Sequence, residues 1–276
     1  MPPKLGILAG RGELPGRLAE SCQAAGRDYV VLAFNGETDP GPIEGHPQAW
    51  VDLPALGRGI AALKAAGAQE LVLIGAVGRP DFRNLRPDWR GARLLPKIVK
   101  AARTGDDAIL KVLVAELESE GFRVVGAEEV LRELAPDSGL LAGPQPDARD
   151  RDDIRRGIEV LQALGRFDIG QGVVVRDGQV LAVEAAEGTD AMLERCRQFV
   201  GEARGGVLVK LPKPDQERRA DMPTIGATTV RHCADAGLKG IALEAGGALV
   251  IDIASVREVA ATAQLFVYAM PGEDVG

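Results

Sequence analysis

Short apolar runs and longer amphipathic stretches alternate along most of this chain. The first apolar run, Leu5–Ala9, is followed by a helical pattern that extends to about Ala25, and further apolar runs occupy residues 29–35 and 70–76. Apolar runs of this length between turn signals are typical of strands that are buried on both faces. Strands that alternate with helices favour a parallel sheet. We therefore expect the N-terminal half to form an open α/β sheet.

A second series of alternating elements follows residue 150. Two apolar runs, 173–175 and 180–183, flank Asp177-Gly178, and an Asp-Gly pair in this position is a strong signal for a β-hairpin. Further strands, separated by helical patterns, are predicted at 207–210, 240–244, 248–252 and 265–268. We expect this half to form a mixed sheet that contains at least one antiparallel pair.

The composition changes abruptly between the two series. Residues 135–150 are rich in Pro and Gly, as connections between domains often are. A chain of 276 residues is long enough for two domains of ordinary size. The sequence thus predicts a two-domain α/β protein. Its parts are a Rossmann-like open sheet at 1–134, a linker at 135–150 and a mixed α/β domain at 151–276.

Composition and charge narrow the classes of function. A hydrophobic share of 46% with 26% charged residues is typical of a globular protein with real cores. The net charge of −7 argues against a nucleic-acid partner, because phosphate backbones favour a basic surface. Cys22, Cys196 and Cys233 are far apart, so neither a disulfide framework nor a zinc site is predicted, and a reducing cytoplasm fits. No export signal or membrane-spanning run is recognisable.

A glycine-rich turn follows the first predicted strand. Residues 10–16 read Gly-Arg-Gly-Glu-Leu-Pro-Gly, and glycines at a strand-to-helix turn let backbone N–H groups approach a phosphate. The second strand ends at Asn35 without the acidic residue that would hold an NAD ribose, so a nucleotide or phosphate site is favoured over a nicotinamide site. A tight turn without a ligand remains the alternative.

A second loop follows the strand at 70–76 and contains Gly75, Arg79 and Asp81. Arg79 can bind a phosphate through two parallel hydrogen bonds, whereas a surface ion pair between Arg79 and Asp81 explains the same residues. Further on, residues 93–103 form a basic amphipathic stretch that either contacts anionic lipid headgroups or packs its apolar side on the core. Asp106 and Asp107 come next and suit either helix capping or a ligand.

Acidic and basic residues concentrate between residues 168 and 226, where strands end and helices begin. Glu184, Glu187 and Asp190 surround one such junction, and Lys210 and Lys213 follow the strand at 207–210. Carboxylate oxygens are ligands that Mg²⁺ prefers, and lysines can neutralise a phosphate. Taken singly, Asp190 suits a helix cap and each lysine suits a solvated loop. Their occurrence together, at the edge where open α/β sheets place ligands, favours a phosphate-handling site.

Three segments of this region resemble signatures of the UDP-2,3-diacylglucosamine pyrophosphatases of lipid A biosynthesis. The resemblance is to the type built from two α/β domains and not to the calcineurin-like metallophosphoesterase type. The segments are Asp168-Ile169-Gly170-Gln171, Val183-Glu184-Ala185-Ala186-Glu187-Gly188-Thr189-Asp190-Ala191-Met192-Leu193 and Asp221-Met222-Pro223-Thr224-Ile225-Gly226. The turn at 10–15 and the loop at 75–82 are similar to N-terminal signatures of this family, although Gly78 replaces an expected lysine.

This resemblance implies hydrolysis of UDP-2,3-diacylglucosamine to UMP and 2,3-diacylglucosamine 1-phosphate (lipid X), with Mg²⁺ or another divalent cation. It implies a cytoplasmic enzyme with a nucleotide-binding first domain and a catalytic, lipid-binding second domain. Peripheral contact with the inner membrane and a homodimer are compatible with it. The implied metal ligands are Asp221, Glu187 and Asp190, and the catalytic set adds Lys210, Lys213 and Gln171. The implied substrate-binding residues are Gly10, Gly12, Leu14, Pro15, Gly75, Arg79, Asp81, Asp168, Gly188, Thr189, Thr224 and Gly226.

Residue patterns alone leave three functions open. A metal-assisted hydrolase of phosphoric anhydrides is supported by the glycine turn and by the cluster of acids and lysines. A nucleotide-dependent oxidoreductase is weakened by the missing acidic residue at the end of the second strand. A non-catalytic nucleotide-sugar-binding or regulatory protein remains the alternative, because a fold does not determine chemistry.

Overall fold

The computed structural model of the chain describes residues 2–78, 87–200, 204–214 and 216–275. By their contacts, these residues form two compact units. The N-terminal unit comprises Met1–Arg132 and a short later segment, Glu217–Asp221. The C-terminal unit comprises Glu133–Gln216 and Met222–Gly276. The chain therefore leaves the C-terminal unit after Gln216 and returns to it at Met222.

The N-terminal unit alternates strands and helices, as predicted. Its strands are β1 (Leu5–Ala9), β2 (Tyr29–Phe34), β3 (Gln48–Val51), β4 (Glu70–Ile74) and β5 (Arg123–Val124). Its described helices are α1 (Leu14–Ala24), α2 (Leu56–Ala65), α3 (Trp89–Ala101), α4 (Asp106–Ser119) and α5 (Ala127–Val130).

These five strands form one parallel sheet in the order β3-β2-β1-β4-β5. This is the order of the first five strands in dinucleotide-binding folds. Helices α2 and α4 bury apolar side chains, among them Leu63 and Leu117, together with strand residues such as Leu71. The open parallel α/β sheet predicted from the apolar runs is confirmed.

The C-terminal unit is built from a larger set of elements. Its strands are β6 (Gly139–Ala142), β7 (Gly172–Arg176), β8 (Gln179–Val183), β9 (Val207–Lys210), β10 (Thr224–Ile225), β11 (Gly240–Glu244), β12 (Leu249–Val250) and β13 (Phe266–Met270). Its helices are α6 (Ala148–Gly165), α7 (Gly188–Val200), α8 (Ala227–Asp235) and α9 (Ile253–Thr262).

Six of these strands form a mixed sheet in the order β6-β13-β11-β9-β7-β8. Strands β9, β11 and β13 are parallel, whereas β6, β7 and β8 are antiparallel to their neighbours. Alternate residues point to opposite faces: Val174 belongs to a core cluster with residues of α7, α8 and α9, and Val173 belongs to a second cluster with residues of α6. The sheet is buried on both faces, which explains why its strands appear in the sequence as nearly continuous apolar runs.

The hairpin predicted from Asp177-Gly178 joins β7 to β8. Both turn residues have positive φ, 49° and 76°, as a type I′ turn requires. The buried carboxylate of Asp153 on α6 accepts hydrogen bonds from the N–H groups of both turn residues, at 3.0 and 2.7 Å. A helix on one face of the sheet thus fixes the turn at its edge.

The segment predicted to be a linker is part of the C-terminal unit. Its residues Gly139–Ala142 form β6, which pairs with β13, and α6 begins at Ala148. The prediction of a linker was wrong because a four-residue edge strand between prolines has too few apolar residues to stand out. Within the described ranges, no helix has both the length and the apolar character needed to cross a membrane.

Asp147 gives the C-terminal unit a pH-dependent contribution to stability. The Lys239 ammonium, 2.8 Å away, together with the N–H of Asp150, lowers the pKa of the Asp147 carboxyl to about 2. Its folded pKa lies below its unfolded pKa, so its stabilisation is present above about pH 4 and is lost as the pH falls towards 2. Asp147→Asn keeps the helix cap but removes the charge.

We expect Asp147→Asn to lower the free energy of unfolding at pH 7, and the difference from wild type to shrink by pH 3. Urea denaturation of both proteins at pH 7 and pH 3 measures this difference in the free energy of unfolding. Asp152→Asn is the matched control, because the ion pair of Asp152 among the described residues is an exposed one with Arg155 on the same helix. If the loss in free energy of unfolding is as large at pH 3 as at pH 7, the result would contradict the assigned role of the ion pair.

Candidate active site

Three backbone N–H groups of the glycine turn after β1 donate to protein oxygens. Gly10 N donates to Ile74 O at 2.8 Å, and Arg11 N donates to Ala76 O at 2.7 Å. Gly12 N donates to the Asp39 carboxylate at 2.7 Å. Protein oxygens therefore already accept a hydrogen bond from each of these three amides, and the substrate-binding role of the turn stays a prediction.

Close packing of two loops explains the glycines at positions 10 and 75. A Cβ atom on Gly10 would lie 2.5 Å from the carbonyl carbon of Gly75, and one on Gly75, whose φ is 92°, would lie 2.7 Å from Arg11 O. Such distances exclude any side chain without a backbone shift. Leu14 and Pro15 begin α1, with Pro15 buried in its first turn.

The neighbouring loop carries Arg79 and Asp81, which lie outside the described residues. Just before them, Gly78 N donates to Glu37 at 2.9 Å, and Arg11 forms an ion pair with Glu37 at 2.5 Å. Burial raises the pKa of Glu37, but the Gly78 N–H and the Arg11 guanidinium outweigh it and leave that pKa below its usual value. This carboxylate therefore holds the start of the loop in its charged form.

In the C-terminal unit, the segment 168–172 forms a strained turn between α6 and β7. Asp168 and Gly170 both have a φ of 58°, which is rare for a residue other than glycine. A Cβ on Gly170 would lie 2.1 Å from Glu184 O, so only glycine fits there. Leu211 N donates to Gln171 O at 3.0 Å, which brings the turn beside the residues that follow β9.

This turn places Asp168 against Lys213, as the sequence prediction of a common site requires. The Lys213 ammonium forms an ion pair with the Asp168 carboxylate, and the two side chains are only 12% and 16% exposed. Lys213 N also donates to the buried side chain of Gln216 at 2.7 Å. Removing one partner of so buried a pair typically costs about 3–5 kcal/mol.

Lys210 is the most buried cation of the predicted set, with 5% of its surface exposed. Its Nζ donates to Thr189 Oγ1 at 2.7 Å and approaches Thr224 O at 3.5 Å. Thr189 Oγ1 in turn donates to Glu184 Oε1 at 3.0 Å. The three side chains form a chain of hydrogen bonds in which a hydroxyl group separates the buried cation from the carboxylate.

Glu184 belongs to the acidic cluster that the sequence indicated, but the family resemblance assigned it no catalytic, metal-binding or substrate-binding role. Its second oxygen, Oε2, is buried and has no hydrogen-bond partner among the described residues. A Cβ on Gly172 would lie 2.7 Å from that oxygen, so glycine at 172 makes room for the carboxylate. The signal in the sequence was its place at the end of the hairpin, three residues before Glu187.

The two predicted metal ligands of this unit have separate basic partners. Glu187 binds the guanidinium of Arg195 at 2.7 and 3.1 Å, and this contact lowers the pKa of Glu187. Asp190 Oδ1 lies 3.0 Å from His232 Nδ1. The described parts of the chain contain no group of three His, Cys, Asp or Glu side chains arranged to hold a metal ion. The donor set predicted for Mg²⁺ is therefore not assembled within this unit.

The remaining predicted residues of this unit lie at element boundaries. Gly188, with a φ of 81°, begins α7, and Thr189 is the next residue. Thr224 lies in β10, which pairs with β12, and Gly226 is the N-terminal cap of α8. They occupy the strand-to-helix junctions that the sequence predicted.

Asp221 belongs to the N-terminal unit through the segment Glu217–Asp221. Glu217 N donates to Asp107 Oδ1 on α4 at 2.7 Å. Arg219 binds both Glu217 and Glu118 at 2.6–2.8 Å. Asp107, for which a cap or a ligand contact was predicted, is thus the anchor of the segment that carries Asp221.

Comparison with known proteins decides the family. The family model of the LpxI N-terminal domain matches residues 4–134, and the family model of the LpxI C-terminal domain matches residues 137–268. The chain belongs to the LpxI family. The UDP-2,3-diacylglucosamine pyrophosphatase LpxI of Caulobacter vibrioides is 44% identical over 277 residues, an alignment that covers 98% of this chain and 99% of the relative.

Membership of the LpxI family confirms the resemblance that the motifs indicated. The two LpxI domain matches meet between residues 134 and 137, close to the passage from the first compact unit to the second after Arg132. Neither match interrupts its domain for the Glu217–Asp221 segment, which only the three-dimensional contacts assign to the first unit.

We expect Gly170→Ala to destabilise the protein by more than Gly178→Ala. Both glycines have positive φ, but a Cβ at 170 meets Glu184 O, whereas nothing lies within 4 Å of one at 178. Backbone strain alone costs on the order of 1 kcal/mol, and the clash adds to it at 170. Denaturant unfolding of the two variants measures the difference. Equal losses of stability in the two variants would show that position 170 has room for a side chain.

Proposed function

We propose that the protein hydrolyses the pyrophosphate bond of UDP-2,3-diacylglucosamine and releases UMP and 2,3-diacylglucosamine 1-phosphate. The observation that carries this proposal is the 44% identity, over almost the full length of both chains, to a relative named for this pyrophosphatase. The buried, hydrogen-bonded lysines of the C-terminal unit support it, because a pyrophosphate substrate needs fixed positive charge. The reaction belongs to lipid A biosynthesis, and we place it in the cytoplasm.

In this proposal, Lys210 stabilises negative charge on a phosphoryl oxygen. Its ammonium is buried, and among the described residues it touches no carboxylate directly. Thr189 fixes its position, and Glu184 balances its charge through the Thr189 hydroxyl. A cation held in this way loses little freedom on binding an anion and acts where water is scarce.

Lys213 supplies a second positive charge in the same unit. Asp168 fixes the direction of its side chain through their ion pair. The turn that presents Asp168 also exposes two large apolar side chains, Phe167 at 73% and Ile169 at 39%. We assign these to the acyl chains of the substrate, because apolar side chains on either side of a charged pair suit an amphiphile with an anionic head.

Asp221 orients the attacking water or accepts its proton in the proposed mechanism. A carboxylate is suited to either role when its backbone is held in one place. The anchor of Glu217 on Asp107 and the ion pairs of Arg219 supply that support. We place Asp107 as a positioning residue that acts through this segment.

A divalent cation such as Mg²⁺ remains part of the proposal. When bound, it would polarise the phosphoryl oxygens and lower the pKa of a bound water. Glu187 is bound by Arg195, and Asp190 Oδ1 lies 3.0 Å from His232 Nδ1, so each carboxylate would have to exchange a basic neighbour for the ion. No step of the mechanism is therefore assigned to the ion, and its requirement is decided by the assay below.

Purified protein given UDP-2,3-diacylglucosamine should release UMP in the presence of Mg²⁺, and EDTA should abolish the release. Asp221→Ala should lower kcat by on the order of 10³-fold or more, as losses of catalytic groups typically do. Asp235→Ala, which removes an exposed ion pair with Arg197, is the control and should match wild type.

Retention of the nucleotide sugar without UMP release would favour the alternative, a non-catalytic nucleotide-sugar-binding protein. UMP release that EDTA leaves unchanged would remove the divalent cation from the proposal. Near-normal turnover by Asp221→Ala would remove Asp221 from the catalytic residues.

Asp107→Ala should lower kcat by about 10-fold or more and leave KM nearly unchanged, because loss of the Glu217 anchor misplaces Asp221. Asp107→Asn retains a carbonyl oxygen that can accept the same hydrogen bond and should restore most of the turnover. Steady-state kinetics and thermal melting of both variants measure this.

Lys111→Met is the control, because it removes the Asp107–Lys111 ion pair, at 2.7 Å on the same helix, and leaves the Asp107 carboxylate in place. A turnover as low in Asp107→Asn as in Asp107→Ala, with both variants folded, would contradict the positioning role.

A further inference from the structure

Helix α3 stands out by its charge. It contains four basic residues, Arg90, Arg93, Lys97 and Lys100, and no acidic residue, in a chain whose net charge is −7. The remainder of the chain is therefore more acidic than the chain as a whole. Such an asymmetry turns the basic side of a protein towards any negatively charged surface that it meets.

The outward face of α3 brings three of these cations together with a tryptophan. At about 100° per residue, Trp89, Arg93, Lys97 and Lys100 fall within an arc of roughly 80°. Trp89 is 75% exposed, and the three basic residues are also exposed. Leu94, on the inward side, is buried. The apolar side of the helix therefore packs on the protein, and the basic side, which begins with Trp89, faces solvent.

The cations of this face have no acidic partners within the described parts of the chain. Arg90, at the edge of the face, forms an ion pair with Glu120, which Lys64 also binds at 2.7 Å. Arg93, Lys97 and Lys100 form no such pair with any described residue. Three positive charges on consecutive turns are thus left for an external anion.

A groove of about 530 Å³ runs beside this face, between α3 and α4. Leu94, Val112 and Ala115 supply apolar lining, while Trp89, Arg93 and Lys97 lie on the α3 side. Glu116 and Glu120 lie on the α4 side, and Glu120 is already neutralised. The groove therefore joins apolar surface to positive charge, as a lipid with an anionic headgroup requires.

We infer that the outward face of α3, from Trp89 to Lys100, binds an anionic bilayer surface. Basic side chains near a charged leaflet attract it, and tryptophan is the side chain that most favours the boundary between headgroups and acyl chains. The face is polar apart from Trp89, the exposed Pro96 and the groove, so the contact is peripheral and the helix stays packed on its own unit.

This placement has a consequence that depends on the proposed function. Helix α3 is followed directly by α4, whose Asp107 anchors the segment of Asp221 in the same unit. A membrane bound at α3 would hold the unit that carries Asp221 at the surface where a diacylated substrate resides. The bilayer would then raise the local concentration of substrate without taking part in the chemistry.

Sedimentation with vesicles tests the surface in the full-length protein. We expect wild type to bind vesicles of phosphatidylcholine with 30% phosphatidylglycerol and not vesicles of phosphatidylcholine alone. The triple variant Arg93→Gln, Lys97→Gln, Lys100→Gln keeps good helix formers and removes three charges. Each charge contributes roughly fivefold to partitioning, so the variant should bind on the order of 100-fold more weakly.

The control variant is Arg149→Gln, Arg155→Gln, Arg156→Gln, which removes three charges from exposed positions on α6. It should bind anionic vesicles like wild type. The chain has two tryptophans, so Trp50→Phe leaves Trp89 as the only reporter. Its emission should shift to shorter wavelength with anionic vesicles, whereas Trp89→Phe, which keeps Trp50, should show no shift.

The inference is overturned if wild type does not bind anionic vesicles, if both triple variants bind equally, or if Trp89 emission does not change. UMP release from substrate dispersed in detergent separates this result from the proposed function. The α3 variant should release UMP at the wild-type rate there. If vesicle binding fails while UMP release persists, the result rejects the membrane-binding surface and leaves the proposed hydrolysis standing. If UMP release is absent while vesicle binding persists, the result rejects the proposed hydrolysis and leaves the membrane-binding surface standing.

Discussion

The hydrogen bond from Glu217 N to the Asp107 carboxylate, together with the ion pair of Arg219 and Glu118, fixes the part of the chain on which the proposed chemistry depends most. The residues on either side of Glu217–Asp221 belong to the C-terminal unit, so this short segment has no continuous element of its own to support it. Its position is set by side chains on α4: Asp107 holds its first amide, and Glu118 holds Arg219. Catalytic groups on loops need such support, because a displacement of about 1 Å can remove most of their effect.

Close packing of backbone explains several glycines at loops of both units. Gly10 and Gly75 let the loops after β1 and β4 touch, and Gly170 and Gly172 make room for the backbone and the carboxylate of Glu184. In each case, the absence of a side chain allows two chain segments to approach within hydrogen-bond distance. Three amides of the first turn donate hydrogen bonds within this packing, and in the proposed function the lysines of the second unit supply the positive charge.

The sequence predicted the elements whose signals are local. Continuous apolar runs gave the buried strands, and Asp177-Gly178 gave the hairpin, because turn geometry depends only on adjacent residues. The edge strands β3 and β6 were missed, since Gln48–Val51 and Gly139–Ala142 are short and lie beside Pro and Gly. The pairings of Lys210 with Thr189 and of Asp107 with Glu217 could not be predicted, because each joins residues that are distant in sequence. The motifs located the candidate site but not which of its charges are already paired.

The pairing of β6 with β13 also determines how the chain can fold while it is being synthesised. Strand β6 lies at the edge of its sheet and has β13 as its neighbour, so it cannot enter the sheet until the last strand has left the ribosome. The parallel sheet of the N-terminal unit is complete once Val124 has emerged, before half of the chain is made. The strands of the C-terminal unit therefore stay unpaired for longer during synthesis than those of the N-terminal unit. Because unpaired strand edges promote aggregation, the nascent C-terminal unit is exposed to this risk for the longer time.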